Sequence, residues 1–199
     1  MPQDSTDFSA LVGSRICHDL ISPVGAIGNG LELIGMSGAA SGPELELISD
    51  SVDSANARIR FFRIAFGYCG LGQVISCNEI INLLRDLEVG GRIGFDWKVT
   101  EDVPREMLRA VFLGLMCVEN VLPYGGMITV TKDHDLWQVT GLGRKVQVDP
   151  DLWGDLTRVE RRIEISAGNV QFGLFPQALE ELGKTPEFCE DAEGFTLRF

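Results

Sequence analysis

His18 is one of two histidines in a 199-residue chain. Asp19 follows it directly and Pro23 stands five positions on, inside the helically patterned stretch "SRICHDLISPVGAIGNGLELI". A neutral imidazole is a competent nucleophile near neutral pH, and a neighbouring carboxylate can hold the distal ring N–H and orient the ring. Residues three, four and seven positions apart share a helix face, which for His18 gathers Ser14, Arg15, Ile21, Ser22 and Gly25. These form a collar dominated by small residues, with Ile21 as an apolar contact, over which a partner's active site can close. Pro23 cannot donate to the carbonyl of Asp19 and crowds it, at about 3 kcal/mol in an ordinary helix, so a bend is expected just after the histidine.

Two helices must position this group. Gly13, Cys17, Leu20, Val24, Ile27, Leu31 and Ile34 recur in alternating steps of four and three, a heptad seam, and Leu45, Ile48, Val52, Ala55, Ile59, Phe62 and Phe66 repeat it. Ser41 and Glu44 fit a capping box at the start of the second helix. A short connection makes the pair an antiparallel hairpin. Two helices alone cover two such seams poorly, so pairing with a second copy into a four-helix bundle is expected. His18 lies one position beyond its seam and should face solvent.

Arg58, Arg60 and Arg63 form a basic run on the second helix. At 1.5 Å per residue, His18 lies about 27 Å from the hairpin's turn, and the same distance up the second helix reaches about position 61. The arginines therefore flank the level of the histidine and suit an acidic partner or a phosphoryl group.

Beyond residue 70 the pattern becomes mixed. A short strand at 73–76, a helix capped by Ser76 with Glu79, a strand over 92–99 and a mostly apolar helix over 104–122 are expected, then strands near 127–131, 136–140 and 144–148. A helix near 170–182 containing Pro176 and a last strand at 195–199 complete an α+β chain. It divides into a helical hairpin, 1–70, and an α/β sandwich, 71–199.

Composition narrows the function. The formal charge is −12, with 29 acidic against 17 basic residues, which argues against a nucleic-acid or anionic-membrane surface. The five cysteines, at 17, 69, 77, 117 and 189, show neither CxxC nor metal-ligand spacing. No metal site follows, and the usage fits a reduced, cytoplasmic setting. The first residues lack a basic and apolar leader pattern, and no 18 apolar residues run together, so neither an export signal nor a membrane span is expected.

The hexapeptide His18-Asp19-Leu20-Ile21-Ser22-Pro23 resembles the H-box of sensor histidine kinases. The whole of "RICHDLISPVGAIGNGLELI", with "FFRIAFGYCG" at 61–70, resembles more closely the ChpT family of bacterial histidine phosphotransferases. The resemblance implies a hairpin that dimerises through a four-helix bundle bearing a phosphorylatable histidine, followed by a sandwich like a histidine-kinase ATPase domain that has lost nucleotide binding. His18 would take a phosphoryl group from a receiver-domain aspartate of a hybrid histidine kinase and pass it to a response-regulator aspartate. Asp19 would orient the ring. No cofactor is implied for this chain, magnesium being expected on the partner receiver.

The C-terminal residues fit loss of nucleotide binding. Cys117 falls roughly where a magnesium-binding asparagine belongs, and no D-x-G-x-G occurs; Gly141-Leu142-Gly143 reads as a hairpin turn and His134 as a loop tip. Two rival functions remain at this level: a dimeric adaptor that binds receiver or kinase domains without carrying phosphate, and an ATP-dependent histidine kinase.

Overall fold

In the computed structural model, which describes residues 7–37, 42–70, 72–157, 163–191 and 194–199, helix α1 (Phe8–Ser37) runs unbroken through a buried Pro23. Asp7 starts it, its carboxylate accepting from the backbone N–H groups of Ser9 and Ala10. Helix α2 (Gly42–Ala65) returns beside it. The expected capping box at Ser41 lies outside the described residues. Gly30 marks the crossing, because a Cβ there would stand 2.6 Å from Cγ1 of Ile48.

The two seams divide by heptad position. Leu20, Ile27 and Ile34 with Ile48, Ala55 and Phe62 are buried or half-buried, whereas Cys17, Val24 and Leu31 with Leu45, Val52 and Ile59 are exposed. One position of each heptad serves the hairpin and its neighbours, and the other leaves an apolar stripe open. Phe62 and Phe66 do not extend that stripe. Phe62 is buried within the chain, stacked on Phe66 and edge-on to Phe61, and Phe61 stacks on Phe112 at 4.6 Å. The far end of α2 is thus embedded in the α/β part, and one hydrophobic core runs from Phe61 to Phe199 across residue 70.

Strand β1 (Val74–Ile75) pairs antiparallel with β3 (Val103–Pro104). Helix α3 (Cys77–Glu88) has the expected Ser76 cap, whose side chain accepts from the Glu79 N–H at 3.2 Å. Strand β2 (Ile93–Trp97) leads through β3 to helix α4 (Arg105–Asn120), β4 (Gly126–Asp133) and β5 (Leu136–Leu142). The chain continues through a short α5 (Pro150–Gly154), α6 (Val170–Glu181), β6 (Glu187–Asp191) and β7 (Gly194–Arg198). The main sheet has the order β2-β4-β5-β7-β6; β2 and β4 are parallel, and every other pair is antiparallel. Helix α4 is buried on nearly every side because it lies against the sheet and contacts α2 and α6 as well, which explains why its sequence is apolar all round.

This is the α+β architecture expected, with local corrections. Residues 144–148 are irregular rather than a strand; the Gln147 N–H donates to the Val121 carbonyl, and Val146 and Val148 lie against the core. Gly141 and Leu142 belong to β5, not to a hairpin turn. Gly141 is needed because a Cβ would press on Val118 of α4 and on Leu122 just beyond it. The turn falls instead at Asp133–Leu136, where His134 has φ of 52° at an exposed tip. Strands β3 and β6 and helix α5 carry no strong periodicity and are found only in the structure. Trp153 of α5 is fully buried among Phe172, Phe188 and Phe195.

Candidate functional site

His18 sits on the outer face of α1 with 84% of its side chain exposed. Its Nδ1 lies 3.0 Å from Oδ1 of Asp19. An ionised carboxylate only accepts, so in a neutral ring this contact is a hydrogen bond when Nδ1 carries the proton, the tautomer that leaves the lone pair on Nε2. The other oxygen of Asp19 accepts from Nε of Arg15 at 2.7 Å. Arg15 and Asp19 are one helical turn apart and mostly covered, with 19% and 14% of their side chains exposed.

The expected collar is only partly a free surface. Ser14, Ile21, Ser22 and Gly25 are exposed, Ile21 by 70%, and a Cβ at Gly25 would meet nothing within 4 Å. Arg15 turns into its own chain, where its Nη1 donates to the Gly168 carbonyl at 2.9 Å and to Oε1 of Gln171 at 3.4 Å. Sequence spacing put Arg15 on the histidine's face but gave no sign of a partner more than 150 residues away.

A cleft of about 780 Å³ opens beside His18 between the hairpin and the α/β part. Its polar wall includes Ser14, Arg58, Arg92 and Glu119, over an apolar floor that includes Phe61 and Phe95. Burial pushes the Glu119 carboxyl above its usual range, a rise opposed by Arg15, Arg92 and Arg58 and reinforced by Asp19. The arginine run is split. Arg58 lines the cleft with His18, whereas Arg60, about 200° further round the helix, pairs with Asp86 at 2.6 Å beside Asp50 and Asp53 in a separate groove. Arg63 is exposed and lines neither depression; its carbonyl accepts from Nη2 of the buried Arg105 at 2.6 Å.

Arg92, Glu119, Gly168 and Gln171 were not visible as site residues. They lie on elements that reach α1 only through tertiary packing. Cys117 is fully buried and burial raises its thiol pKa, so it is not a nucleophile here. Among the described residues no cluster of metal-ligating side chains occurs, and no helix is long and apolar enough to cross a membrane.

An exposed imidazole backed by a carboxylate, on a helical hairpin joined to an α/β sandwich, has the chemistry a histidine-based group carrier requires. Comparison with known proteins gives the family. Residues 77–194 match the histidine phosphotransferase C-terminal domain. The protein phosphotransferase ChpT of Brucella abortus (strain 2308) is 36% identical over 150 residues, covering 72% of this chain and 71% of that protein. A bacterial phosphotransferase structure superimposes with a TM-score of 0.79 at 29% identity, covering 100% of this chain and 98% of that one. The Acinetobacter baumannii histidine kinase AdeS covers 92% of this chain and 96% of its own at 11% identity, with a TM-score of 0.43. The chain belongs to the histidine phosphotransferase family and is a phosphotransferase of the phosphorelay type.

Proposed function

We propose that His18 is the phosphoryl carrier, accepting from the aspartyl phosphate of a hybrid kinase's receiver domain and donating to the aspartate of a response regulator. The observation that carries this reading is the exposed His18 with Nδ1 tied to Asp19 and Nε2 free. In the forward step the Nε2 lone pair forms the N–P bond as the acyl-phosphate O–P bond breaks, and the receiver carboxylate leaves with the electron pair. The ring then carries a positive charge at Nδ1–H, which Asp19 stabilises by the hydrogen bond it already makes. The reverse sequence returns the phosphoryl group to a second receiver. No proton has to enter or leave solvent in either direction.

Docking uses the exposed Ile21, Ser22, Ser14 and Gly25 and the mouth of the cleft, where Arg58 and Arg92 meet the acidic receiver pocket. Magnesium arrives on the receiver, where it neutralises charge in the loose transition state. The protein needs no cofactor of its own, does not phosphorylate itself from ATP, and works in the cytoplasm as a homodimer. The open stripe of Cys17, Val24, Leu31, Leu45, Val52 and Ile59 is the face that a second hairpin covers to complete a four-helix bundle.

The test is transfer of radiolabel from a phosphorylated receiver domain. Wild type and His134→Ala should take up acid-labile, base-stable label, and His18→Ala none. Uptake by His18→Ala would place the carrier elsewhere, and no uptake by wild type would favour an adaptor.

A further inference from the structure

The contact between His18 and Asp19 is unusual for a helix. Adjacent residues point about 100° apart and do not ordinarily face each other. For Asp19 to reach Nδ1 of His18, its carboxylate must be held in one rotamer, and a neighbour acting on its other oxygen is the means. Arg15 supplies that neighbour one turn earlier, with Nε 2.7 Å from Oδ2. A lone surface pair of this kind would be worth little, because both long side chains pay entropy to stay together. Here the guanidinium is itself immobilised from the other side: its Nη1 is shared between the Gly168 carbonyl and Oε1 of Gln171.

The two anchors are held in different ways. Gln171 is 2% exposed at the start of α6. Gly168 lies in the turn Ala167–Asn169, whose geometry is set by the Asn169 side chain accepting from the Ser166 N–H at 2.6 Å. The covered members, Arg15 and Asp19, thus stand between a hydrogen-bonded turn of the α/β part and an imidazole that is almost wholly exposed. Arg15 does not touch the reacting nitrogen, so its action is indirect.

We propose that Arg15, clamped by Gly168 and Gln171, is a positioning residue that fixes Asp19 and through it the Nδ1–H tautomer of His18. The C-terminal part thereby takes a share in the reaction: it keeps the Nε2 lone pair available and aimed outward. This rests on His18 being the phosphoryl acceptor.

The experiment has two independent readouts on full-length protein. The first is the tautomer of ¹⁵N-labelled histidine in the free protein by long-range ¹H–¹⁵N correlation, with the exposed His134 as internal reference. The second is single-turnover transfer from a phosphorylated receiver, varied in concentration to separate the maximal rate from half-saturation. Arg15→Met should raise the Nε2–H tautomer of His18 to a population comparable with the other. It should lower the maximal rate about tenfold, the scale of a modest misalignment, with half-saturation within about twofold of wild type. Arg15→Lys keeps the charge, but its single nitrogen cannot stand at both the Nε and the Nη1 positions, so it should fall with Arg15→Met. Gln171→Leu, near-isosteric and at a buried position, should lower the rate about threefold; it also serves if Arg15→Met does not fold.

An unchanged tautomer and rate in folded Arg15→Met or Gln171→Leu would overturn the proposal. So would a raised half-saturation at unchanged maximal rate, which would make Arg15 a docking contact. If His18→Ala still accepts label, the acceptor assignment fails, and the tautomer measurement separately decides whether the clamp orients the ring.

Discussion

Replacing Ile59 with Asp should convert the proposed dimer to monomer without unfolding the chain. Ile59 lies on the open stripe of α2 with 49% of its surface exposed, so burial by a partner removes on the order of 90 Å² from water, about 2 kcal/mol at 25 cal/mol per Å². An aspartate forfeits that gain and brings a charge into an apolar contact, at a further cost of at least about 1 kcal/mol. Twofold symmetry applies the penalty twice, giving roughly 6 kcal/mol or about four decades in Kd. A nanomolar dimer would then dissociate in the micromolar range, where sedimentation velocity and light scattering resolve it. Phe62→Asp should behave differently: Phe62 is 6% exposed inside the chain's own core, so its loss unfolds the protein rather than splitting a dimer. Cys17 gives a second readout. It lies on the same stripe, so in wild type it should alkylate more slowly than exposed Cys189, and Ile59→Asp should restore its reactivity. An Ile59→Asp protein that stays dimeric at micromolar concentration, with Cys17 no more reactive than before, would refute the reasoning.

Arg58→Ala should slow transfer several-fold and flatten its salt dependence, as loss of a steering charge does, whereas Arg60→Ala should change transfer little because Arg60 pairs with Asp86 away from the cleft; stopped-flow transfer at several ionic strengths separates them, and equal effects would contradict the split. Glu119 titrates above its unfolded value because burial disfavours its charge. The folded state therefore holds this proton more tightly, and the stability it contributes, present below the unfolded pKa, is lost as pH rises through the folded one. Glu119→Gln should raise Tm at neutral pH and remove that fall between the two values; thermal melts from pH 4 to 8 that keep the wild-type slope would count against it.

Much of the chain was legible because helices announce themselves locally. The steps of three and four in residues 13–34 and 45–66 follow from 3.6 residues per turn, and the position of His18 just off that seam was enough to expect exposure, as found. The Ser76 cap and the apolar α4 rest on equally local signals. Periodicity does not say which neighbour a face meets. Only packing decided that Cys17, Val24 and Leu31 stay open while Leu20, Ile27 and Ile34 turn inward, and that Phe62 joins the α/β core. Spacing grouped the three arginines by level along the axis, but angle about the axis sends Arg58 and Arg60 to different surfaces. Arg15 shows the limit most plainly. Its i, i+4 relation to Asp19 could be read from sequence, but its acceptors on Gly168 and Gln171 lie 153 and 156 residues away, and contacts at that separation exist only once α6 has folded onto α1.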